Sequence, residues 1–196
     1  LEEELPFQLT GSQRMSLSEI SADMTSDNRM LRLLPGDVGS GKTVVALMAM
    51  LQAVEAGAQA ALMAPTELLS RQHFAVLQDL CASVSGVRIA ALTGRDKCKA
   101  RAEILAHLEA GDIDIWMGTN ALFQESVEFH DLAWVVVDEQ HRFGVHQRLA
   151  LTDRQGQATD VLVMSATPIP RTLTLTVYGD MDVSRLEEKP PGRSPV

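Results

Sequence analysis

Short apolar runs recur along this chain. Each is followed by a polar or glycine-containing turn and then by a stretch of helical character. The runs fall at 30–34, 60–64, 87–92, 113–117, 133–137 and 161–164. Their shortness and their β-branched content predict buried strands. Around them the spacing of apolar positions predicts helices near 12–26, 42–56, 67–82, 96–110 and 170–177. Strands that alternate with helices in this way predict an α/β fold, a parallel sheet with helices on both faces. Ligands gather at the carboxyl edge of such a sheet, and the chemistry-bearing segments lie just after the runs.

No internal repeat or low-complexity tract interrupts this pattern. Residues 1–10 read as a lead-in segment laid against the first helix, and 11–186 read as the domain itself. From Glu187 the sequence Glu-Glu-Lys-Pro-Pro-Gly-Arg-Ser-Pro is too rich in Pro and Gly to continue a sheet, so 187–196 is expected to be a linker. The length of 196 residues suits one domain, and 45% hydrophobic with 22% charged residues is ordinary globular composition. No apolar run reaches the roughly 18 residues that would span a bilayer, so no membrane association is expected. The Leu-Glu-Glu-Glu start has no secretory pattern, and without an initiator Met it suggests a piece cut from a longer protein. Cys81 and Cys98 have no metal-ligand spacing and read as free thiols in a reducing cytosol.

The net charge of −9 argues against a surface that coats nucleic acid. It leaves room for a groove that uses backbone amides, hydroxyls and a few cations.

Gly36-Asp37-Val38-Gly39-Ser40-Gly41-Lys42-Thr43 fits the phosphate-binding P-loop, with a strand before it and an Ala/Val/Leu/Met helix after it. Glycines at 36, 39 and 41 let successive backbone N–H groups turn inward. The helix beginning near Lys42 adds its partial positive charge. Lys42 would reach the β- and γ-phosphates of ATP, and the Thr43 hydroxyl would ligate Mg²⁺. Pro35, just before the loop, favours an extended Leu34 and removes one amide donor.

The second constellation is Ala133-Trp-Val-Val-Val-Asp138-Glu139-Gln140-His141. A buried strand ending in two carboxylates would deliver them to the edge that holds the P-loop. Asp138 would hold Mg²⁺ through its water shell, and Glu139 would orient and activate the water that attacks the γ-phosphate. Together these residues predict an NTPase.

Asp138-Glu-Gln-His141 with Ser165-Ala-Thr167-Pro resembles motifs II and III of superfamily 2 helicases. Ala64-Pro65-Thr66-Glu-Leu-Leu69 is similar to motif Ia, Thr93-Gly94 to the short motif after it, and Gly118-Thr119-Asn120-Ala121 to motif Ib. Leu5-Pro-Phe7-Gln-Leu-Thr-Gly-Ser-Gln13 resembles a Q motif. With Asp138-Glu-Gln-His-Arg-Phe-Gly-Val-His-Gln-Arg148 and Ser165-Ala-Thr-Pro-Ile-Pro-Arg-Thr172, the match narrows to the first RecA-like motor domain of the bacterial RecG family.

This resemblance implies the ATP-binding lobe of a DNA helicase that remodels branched DNA such as stalled forks and Holliday junctions, working in the bacterial cytoplasm. It implies adenine contacts from Gln13 and stacking by Phe7. Gln140, His141, Ser165 and Thr167 would couple the γ-phosphate to the strand-holding loops. Pro65, Thr66, Gly94, Thr119 and Asn120 would face DNA, unless they are ordinary turn residues, and His141 could instead be a packed polar group. The cluster Arg95–Arg101 could touch phosphates or form a solvated helix start; Arg142 and Arg171 are candidate coupling or DNA-facing cations. Asn120 departs from the usual His, and Pro35 from the usual Gln. A second RecA-like lobe and a wedge domain would lie elsewhere in the protein, so hydrolysis by this segment alone is expected to be very slow. A transcription–repair coupling translocase shares much of the pattern but more often has Glu where Gln140 stands. A nucleotide-dependent switch without DNA activity is the alternative of a different class.

Overall fold

The computed structural model describes residues 7–82, 86–92, 98–119, 127–138, 159–166, 181–188 and 190, with the backbone alone for 98–100. In chain order the elements are α1 (Gly11–Met24), β1 (Leu31–Pro35), α2 (Lys42–Glu55), β2 (Gln59–Met63), α3 (Glu67–Cys81), β3 (Ile89–Leu92), α4 (Cys98–Glu109), β4 (Ile115–Gly118), β5 (Leu132–Val137), β6 (Asp160–Ser165) and β7 (Asp182–Val183). The predicted helix near 170–177 lies outside the described residues.

The strands form one sheet in the order β3-β4-β2-β5-β6-β1-β7, and every pairing is parallel. Successive side chains of each strand enter opposite cores, as the two-residue period requires. Leu34, Leu62, Met117, Trp134, Val136 and Leu162 belong to a core that also takes Ile20 of α1, the apolar residues of α2, and Leu77 and Cys81 of α3. Leu33, Ala61, Met63, Trp116, Val135 and Val163 belong to a second core that includes Leu108 of α4. Helices therefore cover both faces, as predicted. Trp116 and Trp134 are fully buried, so both pack in the core. Burial raises the pKa of the Cys81 thiol, and Cys81 is a free cysteine.

Helix α2 is apolar nearly all round, with Val45–Leu51 and Ala53 buried. It lies against the sheet and is covered by α1, to which it is joined by a hydrogen bond from Ser21 Oγ to Gln52 Oε1 at 2.9 Å. Helix α1 starts in a capping box: the Thr10 hydroxyl accepts from the Gln13 amide, and the Gln13 side chain accepts from the Thr10 amide.

β7 escaped the sequence reading because it is only two residues long, half polar, and lies at the sheet edge. Beyond it the chain keeps to the domain. Ser184 N donates to Leu33 O and Leu186 N to Pro35 O, each at 3.0 Å. The Gly11 amide donates to the Glu188 carboxylate, also at 3.0 Å. The first residues of the expected linker are thus tied back to the start of α1.

Arg32 places a charge inside β1, where its side chain is 9% exposed. It reaches Asp23 at 2.7 Å, Glu19 at 3.3 Å and Ser184 Oγ at 2.8 Å, and Ser184 Oγ also donates to Glu19. One guanidinium thus joins α1, β1 and the segment after β7. Removing it strands two partly buried carboxylates. Arg32→Met, which keeps the packing volume, is expected to destabilise the protein by about 2 kcal/mol, a fall of about 4–8 °C in Tm. Part of this loss should return when Asp23→Asn is added. Thermal unfolding of the three proteins checks this.

Candidate active site

The parallel register brings the carboxyl ends of the strands to one edge. Pro35 pairs with Ser165, Met63 with both Gly118 and Val137, and Val137 with Val163. The residues that follow β1, β2, β4, β5 and β6 are therefore neighbours. β5 and β1 flank β6, so Asp138 and the loop after β1 begin about 10 Å apart at the usual strand spacing.

The loop from Gly36 to Gly41 joins β1 to α2. Its first amide donates to Ser165 O at 3.1 Å, and Ser40 N donates to Asp37 O at 3.1 Å. Gly39 and Gly41 have φ of 84° and 85°, values that L side chains rarely adopt. A Cβ on Gly36 would stand 2.5 Å from Ser40 Oγ and 3.0 Å from Leu186 Cβ, so any other residue there would force these side chains to shift. Lys42 Nζ donates to Gly36 O at 2.6 Å and to Asp37 O at 3.0 Å, which holds the ammonium over the loop. Gly41 at the N-cap supplies no side-chain cap, so no side chain competes with an anion for the first amides of α2. The tip residue Val38 is 73% exposed.

Gln13 supports this loop from beneath. It is 2% exposed, its Oε1 accepts from Thr10 N at 2.9 Å, and its Nε2 donates to Ser40 O at 2.8 Å. A Cβ on Gly41 would lie 2.2 Å from that Nε2, so glycine at 41 serves this contact as well as the backbone angle. The adenine-edge role suggested by the sequence would draw on groups that here hold Thr10 and Ser40. Phe7, the proposed stacking residue, is 41% exposed.

Asp138 follows β5. Its amide donates to Met63 O at 2.8 Å, and its Oδ2 lies 2.6 Å from Nε2 of His73 on α3. His73 was not singled out in the sequence, because it lies four residues past the Ala64–Leu69 motif, inside an amphipathic helix. Among the described residues no three His, Cys, Asp or Glu side chains cluster as a protein-only metal cage. One carboxylate and the Thr43 hydroxyl, with phosphate oxygens and water completing the shell, are a donor set that suits Mg²⁺.

The proposed DNA-facing residues also come together in part. Thr66 caps α3, its hydroxyl accepting from Leu69 N at 3.3 Å, and Pro65 precedes it. Ala64 N donates to Gly118 O at 2.8 Å, which sets the turn of Pro65 and Thr66 beside Thr119. Gly94, Asn120, Glu139, Gln140, His141, Arg142, Thr167 and Arg171 lie outside the described residues.

A phosphate loop and an acidic strand end at the carboxyl edge of a parallel sheet define a P-loop NTPase core. Residues 11–176 match the model of the DEAD/DEAH box helicase family, and the chain belongs to that family. It is similar to the ATP-dependent DNA helicase RecG of Streptococcus pneumoniae, with 53% identity over 192 residues, and to that of Bacillus subtilis, with 55% over 189 residues. These matches take in 98% and 96% of the chain but only 28% and 27% of the relatives. The chain thus spans less than a third of their length, the part that forms the first helicase lobe. The solved structure of RecG bound to a three-way DNA junction superposes with a TM-score of 0.87 at 45% identity, covering 99% of this chain and 26% of that one. The helicase MrfA bound to DNA matches with a TM-score of 0.69 at 17% identity, covering 90% of this chain and 27% of its own; it shares the fold.

The Gln13 geometry gives a direct test. Gln13→Ala leaves the Ser40 carbonyl and the Thr10 amide without their partner, at about 1–3 kcal/mol for each buried group. It is expected to weaken ATP and GTP binding alike, by about tenfold. Fluorescent-nucleotide titrations check this, and a loss confined to ATP would show that Gln13 reads the base directly.

Proposed function

We propose that this chain is the ATP-binding lobe of a DNA helicase that remodels branched DNA, with Mg²⁺ as the accompanying ion. The observation that carries this reading is the joint placement of the 36–43 loop, Asp138, and the Pro65, Thr66 and Thr119 turns at one sheet edge. Family membership and the match to a RecG structure bound to a three-way junction support it.

In this reading the amides of Gly36–Thr43 and the Lys42 ammonium bind and orient the phosphates of ATP. Thr43 and Asp138 hold Mg²⁺, which when bound supplies positive charge to the phosphate oxygens. Glu139 orients the attacking water, and Ser165, Thr167, Gln140 and His141 link the γ-phosphate to the DNA-facing turns. Phe7 stacks on the base. Pro65, Thr66, Gly94, Thr119 and Asn120 contact the DNA backbone through amides and hydroxyls, which a net charge of −9 does not oppose. A second lobe supplies the arginines that stabilise charge on the transferred phosphate, and a wedge domain engages the branch point. Acting on chromosomal DNA, such a protein would work in the bacterial cytoplasm.

The test is ATP hydrolysis by the complete protein with no DNA, linear duplex or a three-way junction. Stimulation by the junction above that by duplex is expected, and Lys42→Ala should lower the stimulated rate at least about a hundredfold. A rate indifferent to every DNA would favour the nucleotide-dependent switch.

A further inference from the structure

Among the described residues, a short polar contact ties helix α3 to the acidic strand end, His73 with Asp138. Both side chains are largely buried, 14% and 12% exposed, and the atoms in contact are Nε2 and Oδ2, 2.6 Å apart. An ionised carboxylate only accepts hydrogen bonds, so Nε2 carries the proton and donates it.

Asp138 needs such a partner. Its backbone is fixed by the bond from its amide to Met63 O, but the terminal torsion of an aspartate is broad and no rotamer well fixes the plane of its oxygens. An N–H donor on Oδ2 removes that freedom and leaves Oδ1 outside this bond. The donor itself is well anchored. Helix α3 is capped by Thr66, and its apolar side, with Phe74, Leu77 and Cys81, packs into the core between sheet and helices. Met63 and His73 belong to one β2–α3 unit, so both ends of Asp138 are held by the same piece of structure.

We infer that His73 is a positioning residue for the metal site: it orients the Asp138 carboxylate so that one oxygen is presented to Mg²⁺ or its water shell. This rests on reading Asp138 as the Mg²⁺-holding residue. Removing the partner of a metal-holding group commonly lowers metal affinity about 10–100-fold.

The experiment measures Mn²⁺ binding to the complete protein by electron paramagnetic resonance in the presence of ADP, together with ADP affinity in EDTA. His73→Leu is expected to weaken Mn²⁺ binding about tenfold or more while ADP affinity in EDTA stays unchanged. His73→Gln, whose amide reaches the position of Nε2, should restore binding to within about threefold. His73→Asn, which is too short, should not; if His73→Leu fails to fold, the Gln and Asn variants decide the matter between them. Mn²⁺ binding that is unchanged in His73→Leu, or reduced equally in the Gln and Asn variants, overturns the inference. Asp138→Asn separates the two claims. If it loses Mn²⁺ while His73→Leu does not, Asp138 keeps its role and His73 has none. If Asp138→Asn also binds Mn²⁺ normally, the reading of the metal site fails with it.

Discussion

A strand buried on both faces has little room for charge except at its ends, because an unpaired buried ion costs several kcal/mol. Strands β2, β4, β5 and β6 obey this closely, β1 does so apart from Arg32, and the parallel register sends all their polar continuations to one edge. The loop at Gly36, the turn at Pro65, the Thr119 turn, Asp138 and Ser165 meet there for that reason. Arg32 tests the constraint from the other side. It is a charge within a strand, and it is accommodated only because Asp23, Glu19 and Ser184 surround its guanidinium.

Around that edge the molecule uses short-range ties to fix positions that the sheet alone leaves loose. Gln13 holds the floor of the phosphate loop through Ser40. Leu186 bridges to Gly36, and Glu188 accepts from Gly11, so the start of α1, the loop and the segment after β7 form one connected patch. A cavity of about 190 Å³ lined by Pro35, Gly36, Asp37, Ala166, Arg185, Leu186 and Glu187 opens beside the loop. The segment Arg185–Glu187 therefore lies next to the site where the nucleotide is proposed to bind.

The six longer strands were legible in the sequence because burial, partial in β3, writes them as continuous apolar runs. Their ends shift by one or two residues where a run opens with residues outside the pairing, as Val87 and Ile113 do. The phosphate loop was legible because its glycines do local conformational work. Asp138 was legible because it breaks an apolar run at a strand end. The roles of Gln13 and His73 were not legible, since each depends on a partner, Ser40 or Asp138, that is distant in sequence and near only after folding. β7 and the return of Glu188 were hidden for the same reason: edge pairing relies on backbone groups and leaves no side-chain pattern. The acidity, which counts against DNA binding as a total, is partly spent on internal pairs with Arg32 and Arg88.

The central claim is that the 36–43 loop and Asp138 form one nucleotide–metal site. Its most direct test is anomalous scattering from Mn²⁺ in crystals of the complete protein with a non-hydrolysable ATP analogue. The account predicts a single strong peak between the Thr43 hydroxyl and the Asp138 carboxylate, with Lys42 Nζ moved from the Gly36 and Asp37 carbonyls onto phosphate oxygens. Nucleotide bound away from this loop, or a metal peak that Asp138 does not approach directly or through one water, would contradict it.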